Sequence, residues 1–391
     1  MICQRNGVDA MGKIIIGADF VPTKSNEDLF ISGDLENLFG AELVELLNRA
    51  EFLAFNLEMP ITNKLHPLKK CGPALHGSPE TLRTYKELHV NLLTLANNHI
   101  MDQSTEGLYE TATNLRQSDI NYIGIGRNLE EAKLPHLYTS QNGKKIGFYT
   151  CAEHEFSIAG ADHPGANPYD PLESFDHVQE LSKQCDYVIV LYHGGKEFYR
   201  YPSPKLQKTC RKFVERGANL VLTQHCHCIG CQEEYQNGVI VYGQGNFLFD
   251  GGDTEFWQTG LLTALDTDTF ICEQIPVVKA EEKVRLANDK QKQEILSEFA
   301  ERSEIIKQAG FVSSEYKKFA EEKIESYLLS MYGIGAKNLL FRILNKLSHH
   351  KYQNVVLRRR YGKSQCLALQ NYIECEAHEE LLIEGLKHYC N

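Results

Sequence analysis

The residues most able to carry out chemistry in this sequence follow short apolar runs. Residues 92–95 form such a run, typical of a buried strand, and the chain continues through Ala96 to Asn97, Asn98 and His99. An amide carbonyl can coordinate a metal ion, and an imidazole can donate a proton to a leaving oxygen. Asn-Asn is also a common turn pair, so the triplet alone favours a functional site no more than a turn.

Four further apolar runs also end on residues that can bind a metal ion. Together the five strand ends supply Asp19, Glu58, Asn98, His99, His193, His225 and His227. Because the carboxyl ends of strands in an open α/β sheet border the ligand-binding crevice, we expect these side chains to meet. Core packing has no need of such residue types at five separate strand ends. The sequence therefore predicts a polar site at one rim of the fold.

A mixture of carboxylate, amide and imidazole donors suits one or two divalent metal ions, of Mn, Fe or Zn. Glu58 is the predicted bridging carboxylate. Two metals ~3.5–4 Å apart clamp a phosphate and convert a bridging water into a hydroxide nucleophile. The predicted reaction is therefore phosphoester hydrolysis. Because two-metal sites also serve aminopeptidases, hydrolysis of an amide or glycosidic bond is an alternative.

The elements that must position these residues alternate between strands and helices. Apolar runs predict strands at 13–17, 52–55, 92–95, 122–125, 145–150, 187–192, 219–223, 239–242 and 261–265. Helical spacing falls between many of them, which predicts an α/β fold with mixed β-sheets flanked by helices. Beyond about residue 279 the chain is rich in charge and helical patterns. We therefore expect a domain at 12–278 and a C-terminal helical appendage at 279–391.

The composition restricts the class of protein. Of 391 residues, 42% are hydrophobic and 24% charged, which is typical of a globular chain. The net charge of −11 argues against nucleic acid as a partner, and the basic run 358–360 is interpreted as a solvated helix face. Residues 1–11 read as a loose leader. Because no signal peptide or membrane span is evident, we expect a cytoplasmic protein with reduced thiols.

Several motifs in chain order resemble the CapA/PgsA family of capsule and poly-γ-glutamate synthesis proteins, within the calcineurin-like metallophosphoesterase superfamily. The resemblance covers residues 13–266. It rests on 17–19, 55–58, 95–99 with Asp102 and Gly107, 124–128, 193–197, 225–227 and 242–250. No single motif is specific for the family, but the occurrence of several of them in the family's order is. The resemblance implies a metallophosphoesterase-like layered fold.

The resemblance also implies a role for each residue of the site. Asp19 and His227 resemble ligands of a first metal and Glu58 the bridge, whereas Asn98, His193 and His225 resemble ligands of a second metal and His99 the proton donor to the leaving oxygen. This chain departs from the phosphoesterase pattern at Val21, where a histidine is usual, so one tight and one weak metal ion is an open alternative. Gln224 and Gln244 depart from the family's residues as well.

Further residues are candidates for orienting the metal ligands or for contacting the substrate: Asp102, Glu153, His154, Glu155, Glu197 and Asn246. For Asp102 and Glu197, a solvated surface position is the alternative. Asn246 is expected to hold a loop beside the site. A separate structural zinc site at Cys226, Cys228 and Cys231 is a rival interpretation, although its spacing is tighter than usual.

The predicted function is that of a metal-dependent phosphoesterase-like hydrolase with a metal-bound hydroxide as nucleophile. The resemblance implies an anionic phosphorylated substrate or polymer in capsule, exopolysaccharide or poly-γ-glutamate biosynthesis. The alternative is a non-catalytic accessory subunit of a polymer synthesis complex that retains the metal or anion pocket. In either case the C-terminal region could contact a membrane synthase.

Overall fold

The computed structural model describes residues 12–249, 251–332, 338–349 and 351–389. The predicted leader at 1–11 and Asp250, the last residue of the 242–250 motif, lie outside these ranges. The chain divides into two compact units, the first ending at Ser313 and the second beginning at Ser314.

The first unit alternates strands and helices, as the apolar runs predict. In chain order its elements are β1 (Lys13–Phe20), α1 (Glu27–Ser32), α2 (Leu35–Phe39), α3 (Ala41–Arg49), β2 (Phe52–Asn56), α4 (Leu82–Glu87), β3 (Leu92–Thr94), α5 (Ser104–Gln117), β4 (Asn121–Ile123), β5 (Ile125–Gly126), α6 (Leu129–Ala132), β6 (His136–Thr139), β7 (Lys145–Ala152), β8 (Gly165–Ala166), α7 (Ser174–Ser182), β9 (Tyr187–His193), α8 (Pro204–Glu215), β10 (Leu220–Gln224), β11 (Ile229–Tyr235), β12 (Gly238–Gln244), β13 (Asn246–Leu248), α9 (Glu255–Gln258), β14 (Thr259–Asp266), β15 (Cys272–Ala280), β16 (Lys283–Leu286) and α10 (Asp289–Ile305).

These strands form two large mixed sheets. The first sheet has the order β16–β15–β14–β1–β2–β3–β4, and β13 also pairs with β1. Within it, β1 to β4 run parallel, whereas β14, β15 and β16 add antiparallel neighbours. The second sheet has the order β11–β12–β10–β9–β7–β6, with antiparallel strands at both edges. The carboxyl ends of its parallel strands β9 and β10 carry the predicted histidines.

The two sheets pack against each other, and helices cover their outer faces. Alternate residues of a strand face opposite sides of its sheet. Ile14 and Ile16 of β1 accordingly lie in a core shared with Leu222 of the second sheet, whereas Ile15 lies in the core that contains Leu43 of α3. A third core joins the second sheet to α7 and α8. This helix–sheet–sheet–helix layering confirms the predicted fold class. It also explains the continuous apolar runs, because these strands are buried on both faces.

Two glutamines fasten the second sheet to β1 beside the predicted site. The β1–β2 register shifts between Ile16 and Asp19. Gln244 Nε2 donates a hydrogen bond to the carbonyl oxygen of Ile16 (3.0 Å), and Gln224 Nε2 donates one to the carbonyl oxygen of Gly17 (3.3 Å). Both glutamines are buried, so their amides replace water at these carbonyls. The two departures from the family pattern therefore contribute contacts between the sheets.

The compact division of the chain falls later than the predicted domain boundary at residue 279. β15 and β16 extend the first sheet past this point, and α10 packs on β11 and β15, so residues up to Ser313 belong to the first unit. The assignment of 12–278 and 279–391 as functional domains stays a prediction.

The second unit is helical, as predicted for the C-terminal region. α11 (Phe311–Met331) leads into it, and α12 (Leu339–Leu347), α13 (Lys351–Arg360), α14 (Lys363–Glu374) and α15 (Glu376–Tyr389) follow. None of the helices in the described part of the chain combines the length and the apolar character needed to cross a lipid bilayer.

Candidate metal centre

The predicted residues of the site follow the carboxyl ends of parallel strands in both sheets. Asp19 is the penultimate residue of β1, and Glu58 comes two residues after β2. Asn98 follows β3. In the second sheet His193 is the last residue of β9, while His225 and His227 follow β10. The first sheet thus supplies acids and an amide, and the second sheet supplies imidazoles.

We define the His193 cluster as Glu58, Asn98, His193 and His225. The Nε2 atom of His193 lies 3.0 Å from Asn98 Oδ1 and 3.1 Å from Glu58 Oε1. His225 Nδ1 lies 3.9 Å from the same Glu58 oxygen. Donor atoms of Glu58, His193 and His225 all lie within 4.8 Å of one another. Four protein donors therefore converge on one small volume.

We define the Asp19 cluster as Asp19, Glu58 and His227. One donor atom from each lies within 4.8 Å of the others, and His227 Nδ1 is 3.4 Å from Asp19 Oδ2. The side chain at the position where phosphoesterases usually carry histidine, Val21, is buried in the core between the first sheet and its helices. Glu58 belongs to both clusters, so it occupies the place expected of a bridging carboxylate.

The donors of both clusters fit divalent cations. Asp19 Oδ2 and both carboxylate oxygens of Glu58 are buried and accept no hydrogen bond, and His225 Nδ1 is buried without a hydrogen-bond partner. Buried carboxylate oxygens are costly when they lack a partner. A cation held among oxygen and imidazole donors would remove this cost, and the donor set suits Mn, Fe or Zn.

The charged groups of the site shift each other's pKa strongly. Burial opposes ionisation of Glu58, but the charges of His193 and His227 and the close approach of the His193 and His225 rings outweigh it and hold the pKa of Glu58 well below its ordinary value. Burial alone would lower the pKa of His227, yet the charge of Glu58 and the contact with Asp19 raise that pKa to about 10. For His225, contact with Glu58 likewise outweighs burial and raises the pKa. The pocket thus stabilises positive charge, which a metal ion supplies while leaving the imidazoles neutral.

The backbone of the second sheet's loop is held in an unusual conformation at these histidines. His225 has a φ of 81° and His227 a φ of 52°, in the left-handed region that residues with a Cβ rarely adopt. Such a conformation costs on the order of 1–3 kcal/mol and persists where the surrounding structure enforces it. It places both imidazoles of the His-x-His motif toward the carboxylates, an arrangement typical of a functional site.

His99 is held by a buried ionic group that the sequence only partly predicts. His99 Nδ1 donates a hydrogen bond to Asp102 Oδ2 (2.6 Å), and the backbone N–H of Leu75 donates to the same oxygen. The ammonium group of Lys70 pairs with the other oxygen of Asp102 and lies 3.2 Å from His99 Nδ1. Asp102 is 1% exposed, which excludes the solvated surface position. Lys70 comes from the loop after β2, and no local motif marks it.

The remaining predicted residues divide between the rim and the surface. Glu153 follows β7, and its charge contributes to the raised pKa of His225. Glu197 is exposed, and one of its carboxylate oxygens lies within 4.8 Å of donor atoms of His225 and His227. His154 and Glu155 are exposed. Asn246 does more than hold a loop, because its Oδ1 accepts a hydrogen bond from His227 Nδ1 (2.9 Å) and so fixes the imidazole beside Asp19.

Asn56, the last residue of β2, is a site residue that the sequence does not single out. Its Nδ2 donates a hydrogen bond to Asp19 Oδ1 (2.6 Å), and its Oδ1 accepts one from Asn97 Nδ2 (3.2 Å). The first of the two amides before His99 therefore positions Asn56, which in turn positions Asp19. The only signal was its place within the motif 55–58 at a strand end.

An aromatic wall, made of Phe198, Phe249 and Trp257, borders the Asp19 cluster. The indole of Trp257 stacks on the imidazole of His227, with ring centroids 4.6 Å apart and planes inclined by 26°. Phe249 and Phe198 pack against the same indole at 5.5 and 5.7 Å. No spacing in the sequence points to this wall, since its members come from three separate segments.

The rival structural zinc site is not favoured by the geometry. Cys226, Cys228 and Cys231 are buried free thiols, and the Sγ of Cys226 donates a hydrogen bond to the carbonyl oxygen of Cys228. Cys231 lies in the core between the second sheet and its helices. Among the residues that the structure describes, the groups able to hold a metal consist of Asp, Glu and His.

Comparison with solved structures finds similar chains of low sequence identity. A hypothetical protein from Thermus thermophilus is 14% identical with a TM-score of 0.43, covering 69% of this chain and 99% of that one. TT1561 of the same organism is 12% identical with a TM-score of 0.36, covering 67% of this chain and 97% of that one.

Comparison with curated proteins finds relatives named for polymer synthesis. The capsule biosynthesis protein CapA of Bacillus anthracis is 28% identical over 62% of this chain and 63% of its own length. The PGA biosynthesis protein CapA of Bacillus subtilis is 30% identical over 56% of this chain and 59% of its own length. This chain thus spans about three fifths of the relatives it matches. Residues 8–251 match the family described as "Bacterial capsule synthesis protein PGA_cap", and the chain belongs to that family.

Proposed function

We propose that this protein is a metal-dependent phosphoesterase-like hydrolase that acts in the production of a capsule or of poly-γ-glutamate. The names of the relatives support the biological setting. The donor set at the rim of the two sheets supports the chemistry. The substrate class is an anionic phosphorylated intermediate or polymer.

The observation that carries the proposal is the shared position of Glu58. This carboxylate is fully buried, lacks a hydrogen-bond donor on either oxygen, and belongs to both donor clusters. A carboxylate between two groups of donors is what a pair of bridged cations requires. Two divalent ions, when bound, lower the pKa of a coordinated water and neutralise charge that develops on a phosphoryl group.

The chain's own residues hold and orient the reacting groups. Asn56 fixes Asp19 through a hydrogen bond to Oδ1, and Asn246 fixes the ring of His227 through Nδ1. The first bond leaves Asp19 Oδ2 free for a cation, and the second fixes the imidazole beside that oxygen. Because the donors come from two sheets joined by buried glutamines, they need little reorganisation at the moment of reaction.

His99 is the proposed proton donor to the departing oxygen. Its Nδ1 donates to Asp102, which leaves Nε2 as the nitrogen able to exchange a proton with a substrate. Asp102 is in turn fixed by Lys70 and by the backbone of Leu75. The imidazole is therefore held in one orientation. It stands next in sequence to Asn98, a donor of the His193 cluster.

A non-catalytic role is the second candidate, because one relative carries a name that indicates it. The probable polyglutamine synthesis accessory protein Rv0574c of Mycobacterium tuberculosis is 24% identical over 56% of this chain. In this case the metal pocket binds an anionic group of the polymer without cleaving it. We propose that the C-terminal region would then contact a membrane synthase.

The two candidates are separated by metal analysis combined with turnover. The full chain is stripped with a chelator, reloaded with Mn, Fe or Zn, and analysed for bound metal by mass spectrometry. Turnover is then measured with p-nitrophenyl phosphate and bis(p-nitrophenyl) phosphate. The hydrolase proposal expects bound metal and metal-dependent release of p-nitrophenol. Bound metal without cleavage of any phosphoester supports the accessory role, and a chain that binds no metal contradicts both.

A further inference from the structure

The second unit contains a long segment without acidic residues. From residue 326 to residue 373 the sequence has eight Lys and Arg and neither Asp nor Glu. At the average of the whole chain, which has 52 acidic residues in 391, a segment of this length would hold about six. We call residues 326–373 the basic segment. Its charge is opposite to that of the chain, whose net charge is −11.

An exposed apolar face lies within the basic segment, on α12. Leu339, Leu340, Ile343 and Leu347 are 46–74% exposed, and at about 100° per residue they fall on one face of the helix. Arg342 and Lys346 lie beside this face, at the edge next to Leu339 and Ile343. A helix of a water-soluble unit normally buries such a face. We call these four residues the α12 face.

The opposite side of α12 is already occupied by α13. Asn345 is buried, its Nδ2 donates to Gln353 Oε1 (3.1 Å), and the backbone N–H of Gln353 donates to Asn345 Oδ1 (3.1 Å). These bonds fix α12 and α13 as a helical hairpin. Three exposed arginines, Arg358 to Arg360, end α13. The hairpin therefore presents leucines and cations to solvent.

We propose that the α12 face and the basic segment bind the surface of a lipid bilayer that contains anionic lipids. A helix with exposed leucines on one side and Lys or Arg beside them lies in the plane of the interface, with its apolar face in the headgroup region. Basic side chains add electrostatic attraction to anionic headgroups. A nucleic acid would bind the cations but leave the leucines of the α12 face in water. A protein partner would not require that the basic segment contain no acidic residue at all.

The test is sedimentation of the full chain with vesicles of phosphatidylglycerol and phosphatidylcholine, against vesicles of phosphatidylcholine alone. We expect binding to the anionic vesicles that weakens as salt is raised, because screening shortens the range of the charges. Equal binding to both kinds of vesicle, or binding to neither, overturns the proposal.

Variants assign the binding to the helices. Leu340→Glu with Ile343→Glu should abolish sedimentation, and replacing Arg358, Arg359 and Arg360 by Gln should lower binding on the order of 100-fold, at about fivefold per charge. The matched controls in the first unit are Leu172→Glu with Ile271→Glu, both exposed, and Lys205→Gln, Lys208→Gln with Lys290→Gln. Thermal unfolding followed by circular dichroism checks that all variants fold. Equal losses in variants and controls contradict the proposal.

Light scattering distinguishes a second occupant of the α12 face. If the chain is a dimer that Leu340→Glu with Ile343→Glu converts to a monomer while vesicle binding is unchanged, the face joins two copies of the chain and the lipid proposal is wrong. If the chain binds an oligonucleotide and neither kind of vesicle, the basic segment binds nucleic acid and the lipid proposal is wrong.

Discussion

The His193 cluster and the Asp19 cluster share Glu58 but differ in how their other donors are supplied. The His193 cluster adds two imidazoles and an amide, and its donors contact one another directly. The Asp19 cluster adds one carboxylate and one imidazole, and each is held by an amide outside the cluster. The His193 cluster would therefore hold a metal ion through the number of its donors. In the Asp19 cluster, metal binding would depend more on how the donors are oriented.

This difference indicates which of the two clusters binds a metal ion first. Four donors, two of them imidazoles, favour tight binding of a transition metal, whereas three donors leave more coordination sites for water or substrate. We expect the His193 cluster to be the tighter site and the Asp19 cluster the weaker one, next to the aromatic wall. The Asp19 cluster has one imidazole donor fewer because position 21 carries a buried valine instead of a histidine.

The largest effect is expected for Glu58→Gln, because it removes the charge that both clusters share. Loss of metal-based charge stabilisation worth several kcal/mol predicts a fall in turnover on the order of 10⁴-fold, with little bound metal left. Phosphoesterase assays and metal analysis measure both. The matched control is Glu51→Gln, a buried glutamate just before β2, which should keep its metal. Retention of both ions by the Glu58 variant would refute the bridge.

The next largest effect is expected for His99→Asn, which removes a proton donor but no cluster member. Turnover of an alkyl phosphate should fall on the order of 10²–10³-fold with metal content unchanged. The loss should be smaller with p-nitrophenyl phosphate, because p-nitrophenolate departs without protonation. His163→Asn, at an exposed histidine, is the control. Loss of metal in the His99 variant would place this residue among the ligands.

Removing one imidazole from each cluster tests the comparison directly. His227→Ala leaves two donors in the Asp19 cluster and should release about one ion per chain at limiting manganese. His193→Ala leaves three donors in the His193 cluster and should weaken binding while retaining an ion at higher manganese. Equilibrium dialysis followed by metal analysis measures both. Identical metal isotherms for the two variants would show that the clusters do not differ.

The smallest catalytic effect is expected for Lys70→Met, which loosens Asp102 behind His99. Residues that orient a functional side chain contribute 10–100-fold, so we expect kcat to fall about tenfold with KM and metal content nearly constant. Lys70→Arg should restore part of kcat, because it keeps the cation beside Asp102. The exposed neighbour provides the control, Lys69→Met. A parallel loss of kcat in both Met variants would exclude the positioning role.

The strand ends of the site are predictable from sequence because their strands are buried on both faces. The run leading to His193 is aliphatic or aromatic throughout, so the histidine at its end stands out. The grouping of these donors follows from the common direction of parallel strands. Their roles as ligands and acid stay predictions.

The parts that sequence does not reveal depend on long-range geometry. Lys70 meets His99 across 29 positions of the chain, and no local pattern records this contact. Asn56 reads as an ordinary strand residue until the fold places it against Asp19. β16 falls within the region read as a charged tail, because it is a half-buried strand at the edge of its sheet, where polar residues are tolerated.

The stacking of Trp257 on His227 has a practical consequence. The chain has a single tryptophan, so selective excitation of indole emission reports on one ring in contact with a proposed ligand. An ion that enters the Asp19 cluster should change this emission, whereas an ion confined to the His193 cluster should leave it nearly constant. The order in which the two positions fill can therefore be followed by fluorescence, in the unmodified protein and without a substrate.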